Sequence, residues 1–200
     1  YTKAKAIVTP YSSNTKLIFD KFKSKINVTP AKEALVNLID QYDSWSFDFP
    51  REMEPAKLNA IYYGYNKPKA EKFIESFKDG LRDFTAHERG AIKLHFKAFV
   101  EQLESPKFAG MIKDYKVVST FVTKQVNEVA NYMLDKYSAD VAIMVNLDLK
   151  VVSFRKQKGC QLNLGKLAEK LCEGGGAHNL AGGKLTDTFA NWTKTLSPIE

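Results

Sequence analysis

An α/β fold with a helical middle is predicted for this 200-residue chain, and three observations predict it. Residues 117–155 hold β-branched and apolar runs on either side of one amphipathic helical stretch. Residues 51–104 carry their apolar side chains at helical spacing. Residues 1–50 combine one short apolar run with two capped helices. The segments expected are therefore 1–50, 51–105 and 106–200, the last built on a mixed sheet.

Taken in order, Ala4 to Thr9 reads as a short strand. Ser12 or Ser13 can cap a helix carrying Leu17, Ile18 and Phe22. Thr29-Pro30 opens a second helix, with a capping hydroxyl followed by proline at the first helical position. Its apolar face is Ala34, Leu35, Leu38 and Ile39, and it delivers Asp40 and Asp43 near its C-terminal end. Acids are disfavoured there because that end of the helix dipole is negative, so a cation or a basic partner is expected to explain them. Pro55 and Pro68 open two further helices, and a third carries Ile92, His95, Phe96, Phe99, Val100 and Leu103. Ser105-Pro106 breaks the pattern. Val117 to Val122 reads as a strand, and Val126, Val129, Ala130, Met133, Leu134 and Tyr137 as a helix face. The run Asp140 to Leu147 is of buried-strand type, and Lys150 to Arg155 is its expected hairpin partner. Asn163 can cap a helix holding Leu167, Ala168 and Leu171. Phe189 and Trp192 suit either a strand or a helix. No internal repeat is present.

A hydrophobic content of 44% is enough for a packed core. The net charge of +7 suits a nucleic acid or phosphate ligand, and equally a lysine-rich solvated surface, so charge alone selects no partner. No run of about 18 apolar residues exists, so no membrane-spanning helix is expected. The two cysteines, Cys160 and Cys172, lack CxxC spacing, which fits a reducing, cytoplasmic setting. The chain begins at Tyr1 without an apolar leader core or a starting Met, and is expected to be a fragment or a processed product.

The segment Gly174-Gly175-Gly176-Ala177-His178-Asn179-Leu180-Ala181-Gly182-Gly183 carries the sharpest chemical signal. A helix C-cap needs one glycine, not three. Consecutive glycines allow close backbone approach and converging N–H groups, from which an anion-binding nest with His178 as a donor could be built. A tight flexible turn with an incidental histidine is the other reading, and both stand. Walker A and dinucleotide fingerprints are absent.

The stretch KVVSFRKQKGCQLNLGKLAEKLCEGGGAHNLAGG resembles the C-terminal, DHH-associated domain of DHH-superfamily phosphoesterases. Ser153 and Arg155 stand in its V-S-x-R strand. Gly174, Gly175, Gly176, His178, Ala181 and Gly183 stand in its GGG-x-H-x-x-A-G loop. Ala177 replaces a frequent fourth glycine, and Lys156 stands where the family often has serine. Upstream, the Asn127-Glu128 pair is similar to a polar pair in the first half of the same domain. Residues 1–50 are similar to the end of the catalytic DHH domain, with Asp40, or Asp43 together with Trp45, at the fourth metal motif. The similarity is weakest over 51–104.

What the resemblance implies is a metal-dependent hydrolase. Two Mn²⁺ or Mg²⁺ ions would activate water against a phosphodiester. Asp40 and Asp43 would ligate metal. Ser153, Arg155, the Gly174–Gly176 backbone and His178 would hold the substrate phosphate. The substrate class implied is a nucleotide or single-stranded nucleic acid, cleaved by a nuclease of exonuclease or short-oligonucleotide type. The family's DxD-like pair, its second Asp and its Asp-His-His triplet do not occur in this sequence. His87 and His95 read as surface or packing residues rather than ligands. The chain alone is therefore expected to be inactive, and a non-catalytic nucleotide- or nucleic-acid-binding module is the alternative.

Overall fold

The computed structural model describes residues 13–51 and 53–199. They form a mixed α/β fold with eight helices and a seven-stranded sheet among the described residues. The chain divides by compactness between Phe96 and Lys97.

Within the first unit the described residues are helical or irregular. They comprise α1 (Asn14–Phe22), a 3-10 turn (Lys23–Lys25), α2 (Pro30–Ser44), α3 (Glu54–Gly64), α4 (Lys69–Phe77) and the start of α5 (Ala86–Gln102). The strand expected at Ala4 to Thr9 lies outside the described residues. Local chemistry sets the helix starts. Ser13 Oγ accepts from Lys16 N at 3.2 Å, and Thr29 Oγ1 from Lys32 N at 3.3 Å, each satisfying an otherwise orphan helical N–H. Thr85 and Glu88 exchange reciprocal bonds at the head of α5, where Glu88 N donates to Thr85 Oγ1 and Thr85 N to Glu88 Oε2. Leu58, Ile61 and Phe77 form the core, flanked by Leu35, Leu38 and Ile39 of α2 and by Phe73, Leu81, Phe84 and Ile92. The α2 face is thus the one its spacing predicts.

The second unit holds β1 (Lys107–Ile112), β2 (Tyr115–Phe121), α6 (Val126–Lys136), β3 (Val141–Asn146), β4 (Val151–Lys156) and α7 (Leu164–Cys172). It continues with β5 (Gly175–Gly176), β6 (Leu180–Lys184), α8 (Asp187–Thr193) and β7 (Ser197–Ile199). Strand order is β5-β6-β4-β3-β2-β1-β7. Only β2 and β3 run parallel, joined through α6 as a strand–helix–strand crossover; the other pairs are antiparallel. Both edge strands are short: β5 has two residues, and β7 three with Pro198 at its centre.

β3 is buried at all six positions because both of its faces are covered. Val141, Ile143 and Val145 join Val152, Phe154, Leu167, Ala168, Leu171 and Phe189 beneath α7 and α8. Alternation turns Ala142 and Met144 to the opposite face. There α6 contributes Val129, Ala130, Met133 and Leu134, all buried. The ambiguous C-terminal stretch contains both elements: Phe189 sits on α8, and β7 follows it. Among the described residues no helix is long and apolar enough to cross a membrane.

Candidate functional site

The glycine-rich segment is a β-hairpin, not the loop its composition predicts. β5 pairs with β6 through Gly175↔Gly182 and Gly176↔Ala181, leaving Ala177, His178 and Asn179 as the connection. Two of the three leading glycines are required by the fold itself. A Cβ on Gly174 would lie 2.1 Å from the Gly182 carbonyl oxygen. Gly176 has φ +143°, and its Cβ would lie 2.6 Å from Ala181 Cα. Gly175 differs, since a Cβ there would meet nothing within 4 Å. The hairpin is anchored to the helix beside it, because the His178 carbonyl accepts from Leu164 N at the head of α7, 3.1 Å away.

His178 is exposed at the tip. Its Nδ1 lies 2.7 Å from Lys156 Nζ, and the same ammonium donates to the carbonyls of Cys160 at 2.7 Å and Leu162 at 2.9 Å. Sequence reading passed over Lys156 as a site residue. Its signal was positional: it ends β4, directly after Arg155, with its side chain turned the other way.

Arg155 follows from the same alternation. Val152 and Phe154 enter the core beneath α7, so Ser153 and Arg155 project to the α6 side. There Arg155 Nε donates to Asn127 Oδ1 at 2.9 Å, and Nη1 to the Phe154 carbonyl at 2.9 Å. Two of the five guanidinium N–H groups are used in this way. Among the described residues no carboxylate stands within ion-pair distance of it, and burial alone pulls its pKa below the ordinary arginine value. A half-buried cation facing neutral acceptors is an electrostatic vacancy suited to an anion. Ser153, half-buried, pairs with Met144 and Gly182 two residues back along β4.

Arg155 pairs in register with Leu180, two residues after His178. The two predicted ligand-binding side chains therefore share one end of the sheet. They are not in contact: Arg155 is held by α6, and His178 by Lys156 on the other side of β4.

Asp40 and Asp43 lie on α2 in the first unit. Asp40 Oδ1 accepts from Ser13 N at 2.6 Å, at the head of α1. This partner is a neutral amide N–H at a helix start rather than the cation or basic side chain expected for an acid near the end of α2. Asp43 borders an open cleft of about 300 Å³ lined by Ile39, Tyr42, Leu58, Tyr62 and Phe73. Burial, and secondarily the Asp40 charge, raises its pKa. Among the described residues no group of three or more His, Cys, Asp and Glu could hold a metal ion. Asp40, already bonded to a backbone N–H, and Asp43 are by themselves too few donors for a two-ion centre, which needs several more. No catalytic step through a metal follows from these residues.

No family model matches the sequence, and no curated protein matches it. Solved structures do. The chain is similar to the pGpG-specific phosphodiesterase PggH of Vibrio cholerae, with a TM-score of 0.64 and 13% identity, covering 97% of this chain and 74% of that one. A likeness at this identity is one of fold: the α/β architecture is shared with a phosphodiesterase. An uncharacterized protein from Helicobacter pylori G27 matches with a TM-score of 0.34 and 15% identity over 89% of this chain. An exopolyphosphatase-related protein from Bacteroides fragilis matches with a TM-score of 0.49 and 15% identity over 93% of it. This chain spans 62% of the Helicobacter chain and 55% of the Bacteroides chain.

Proposed function

We propose that this chain is the nucleotide-binding portion of a DHH-type phosphoesterase acting on nucleotide phosphodiesters. The observation that carries the reading is Arg155, a half-buried guanidinium without a carboxylate partner among the described residues, at the sheet end that also presents exposed His178. A planar fork of N–H donors matches a phosphate's oxygens, and His178, at the same sheet end but on the other side of β4, would offer an extended ligand a second polar contact. The Gly174–Gly176 backbone gives a ligand close access at Gly175, and Ser153 supplies a hydroxyl on the Arg155 side. The fold shared with a pGpG-specific phosphodiesterase supports a short, phosphate-bearing oligonucleotide as the ligand class. Mn²⁺ or Mg²⁺ dependence belongs to the same proposal. Asp40 and Asp43 would give part of the ligand set, with further donors needed from outside the described residues.

The test is manganese-dependent hydrolysis of a labelled 5′-phosphorylated dinucleotide and of a short single-stranded oligonucleotide. This chain is compared with the full-length product of its gene. Hydrolysis by the full-length product that is lost in Arg155→Met supports the reading. Binding without hydrolysis by either protein leaves a nucleotide-binding module, and neither binding nor hydrolysis removes both.

A further inference from the structure

The geometry points to Lys156 as a positioning residue that fixes the tautomer of His178, making it a hydrogen-bond donor through Nε2. A lysine ammonium has three N–H donors and no acceptor. Lys156 Nζ has three partners at bonding distance: the carbonyls of Cys160 (2.7 Å) and Leu162 (2.9 Å), and His178 Nδ1 (2.7 Å). Carbonyl oxygens only accept, so two of the protons are committed to them. The third must point at Nδ1, which receives it on its lone pair. A neutral imidazole accepting at Nδ1 carries its proton at Nε2.

Two consequences follow for the site. The outward nitrogen of His178 offers a hydrogen and no lone pair, so it selects an acceptor such as a phosphate oxygen. For the same reason it cannot take a proton from water, and His178 acts in binding rather than as a general base. The ammonium also places a positive charge one hydrogen bond from the ring, which favours an anion as the partner of Nε2.

This inference rests on the proposed function for its ligand, but not for the tautomer, and its test separates the two. Long-range ¹H–¹⁵N correlation spectra of the uniformly labelled, ligand-free chain report the tautomer of each of its three histidines. His178→Gln identifies the signal. The expected result is the Nε2–H pattern for His178. A Nδ1–H pattern, or an imidazolium donating to a neutral amine, in the wild-type chain would overturn the assignment. In Lys156→Met the fixed pattern is expected to give way to a tautomer mixture. Affinity for a 5′-phosphorylated dinucleotide should fall about fivefold to tenfold, with the unphosphorylated dinucleoside unaffected. Retention of the Nε2–H pattern in that variant would also overturn the role of Lys156. A Nε2–H pattern in wild type with no dinucleotide binding would leave the tautomer assignment standing and remove the proposed function.

Discussion

Arg82 and Glu88 meet as a two-pronged pair, with Nη1 donating to Oε2 at 2.9 Å and Nη2 to Oε1 at 2.8 Å. Glu88 is 2% exposed, and its carboxylate also accepts from Tyr65 Oη at 2.5 Å and Thr85 N at 2.7 Å. Arg82 is the main cause that holds its pKa at about 2, against 4.5 for an ordinary glutamate. A folded-state value below the unfolded one means that the stabilisation is present above about pH 4.5. It is lost as pH falls from there through about 2. Denaturant titrations of wild type and Glu88→Gln should differ by about 3 kcal/mol near neutral pH. The gap should shrink steadily below about pH 4.5. A gap that does not change with pH would mean that the charge of Glu88 does not support the α5 head.

Arg155 should be sensitive to shape as well as charge. Arg155→Lys keeps a cation but loses the fork and the bond to Asn127. Both Arg155→Lys and Arg155→Met are expected to weaken dinucleotide binding by about tenfold or more, as calorimetry would read. Stability should change little or rise in Arg155→Met, because a half-buried unpaired charge is removed. Lower stability with unchanged binding would assign Arg155 to the fold alone.

Two of the three leading glycines, Gly174 and Gly175, should separate under substitution. Gly174→Ala forces a Cβ against the Gly182 backbone and is expected to cost about 1–3 kcal/mol. Gly175→Ala has open space and should change stability by less than about 0.5 kcal/mol. If the bare backbone at Gly175 serves ligand approach, that second variant weakens nucleotide binding while melting like wild type. Thermal melts paired with binding isotherms distinguish the two positions.

The cysteines should differ in reactivity. Cys172 is fully buried at the end of α7, and burial pushes its thiol up to about 11. Cys160 is partly exposed on the loop after β4. Mass spectrometry after brief alkylation near neutral pH should find modification at Cys160 alone, with Cys172 reacting only after denaturation. Early labelling of Cys172 would show that α7 opens locally.

Much of this architecture is legible in the residues, and the failures have physical causes. Helix starts were readable because Ser13, Thr29 and Asn163 act on N–H groups three residues away. β3 was readable because both sheet faces demand apolar side chains along Val141–Asn146. β1 was missed: Lys107 and Gly110 dilute its pattern, and its conformation comes from pairing with β2. β5 and β6 were missed because glycine composition signals a loop, whereas here glycine permits backbones to meet closely. Within the candidate site, His178 and Arg155 are the residues the sequence singles out. Lys156 and its contact were not legible there, since 22 residues and a hairpin register separate Lys156 from the imidazole. The Ser13–Asp40 bond, spanning 27 residues, was equally out of reach.

The short outer strands bear on how the molecule behaves among copies of itself. A wide sheet with long bare margins invites a neighbour to continue the ladder, and fibres grow that way. On one margin β5 offers two residues of backbone. On the other, Pro198 sits opposite Phe108 and has no N–H to offer a newcomer. Among the described residues, the outermost strands are therefore two and three residues long, one of them broken by proline, and templated growth from β5 or β7 is disfavoured.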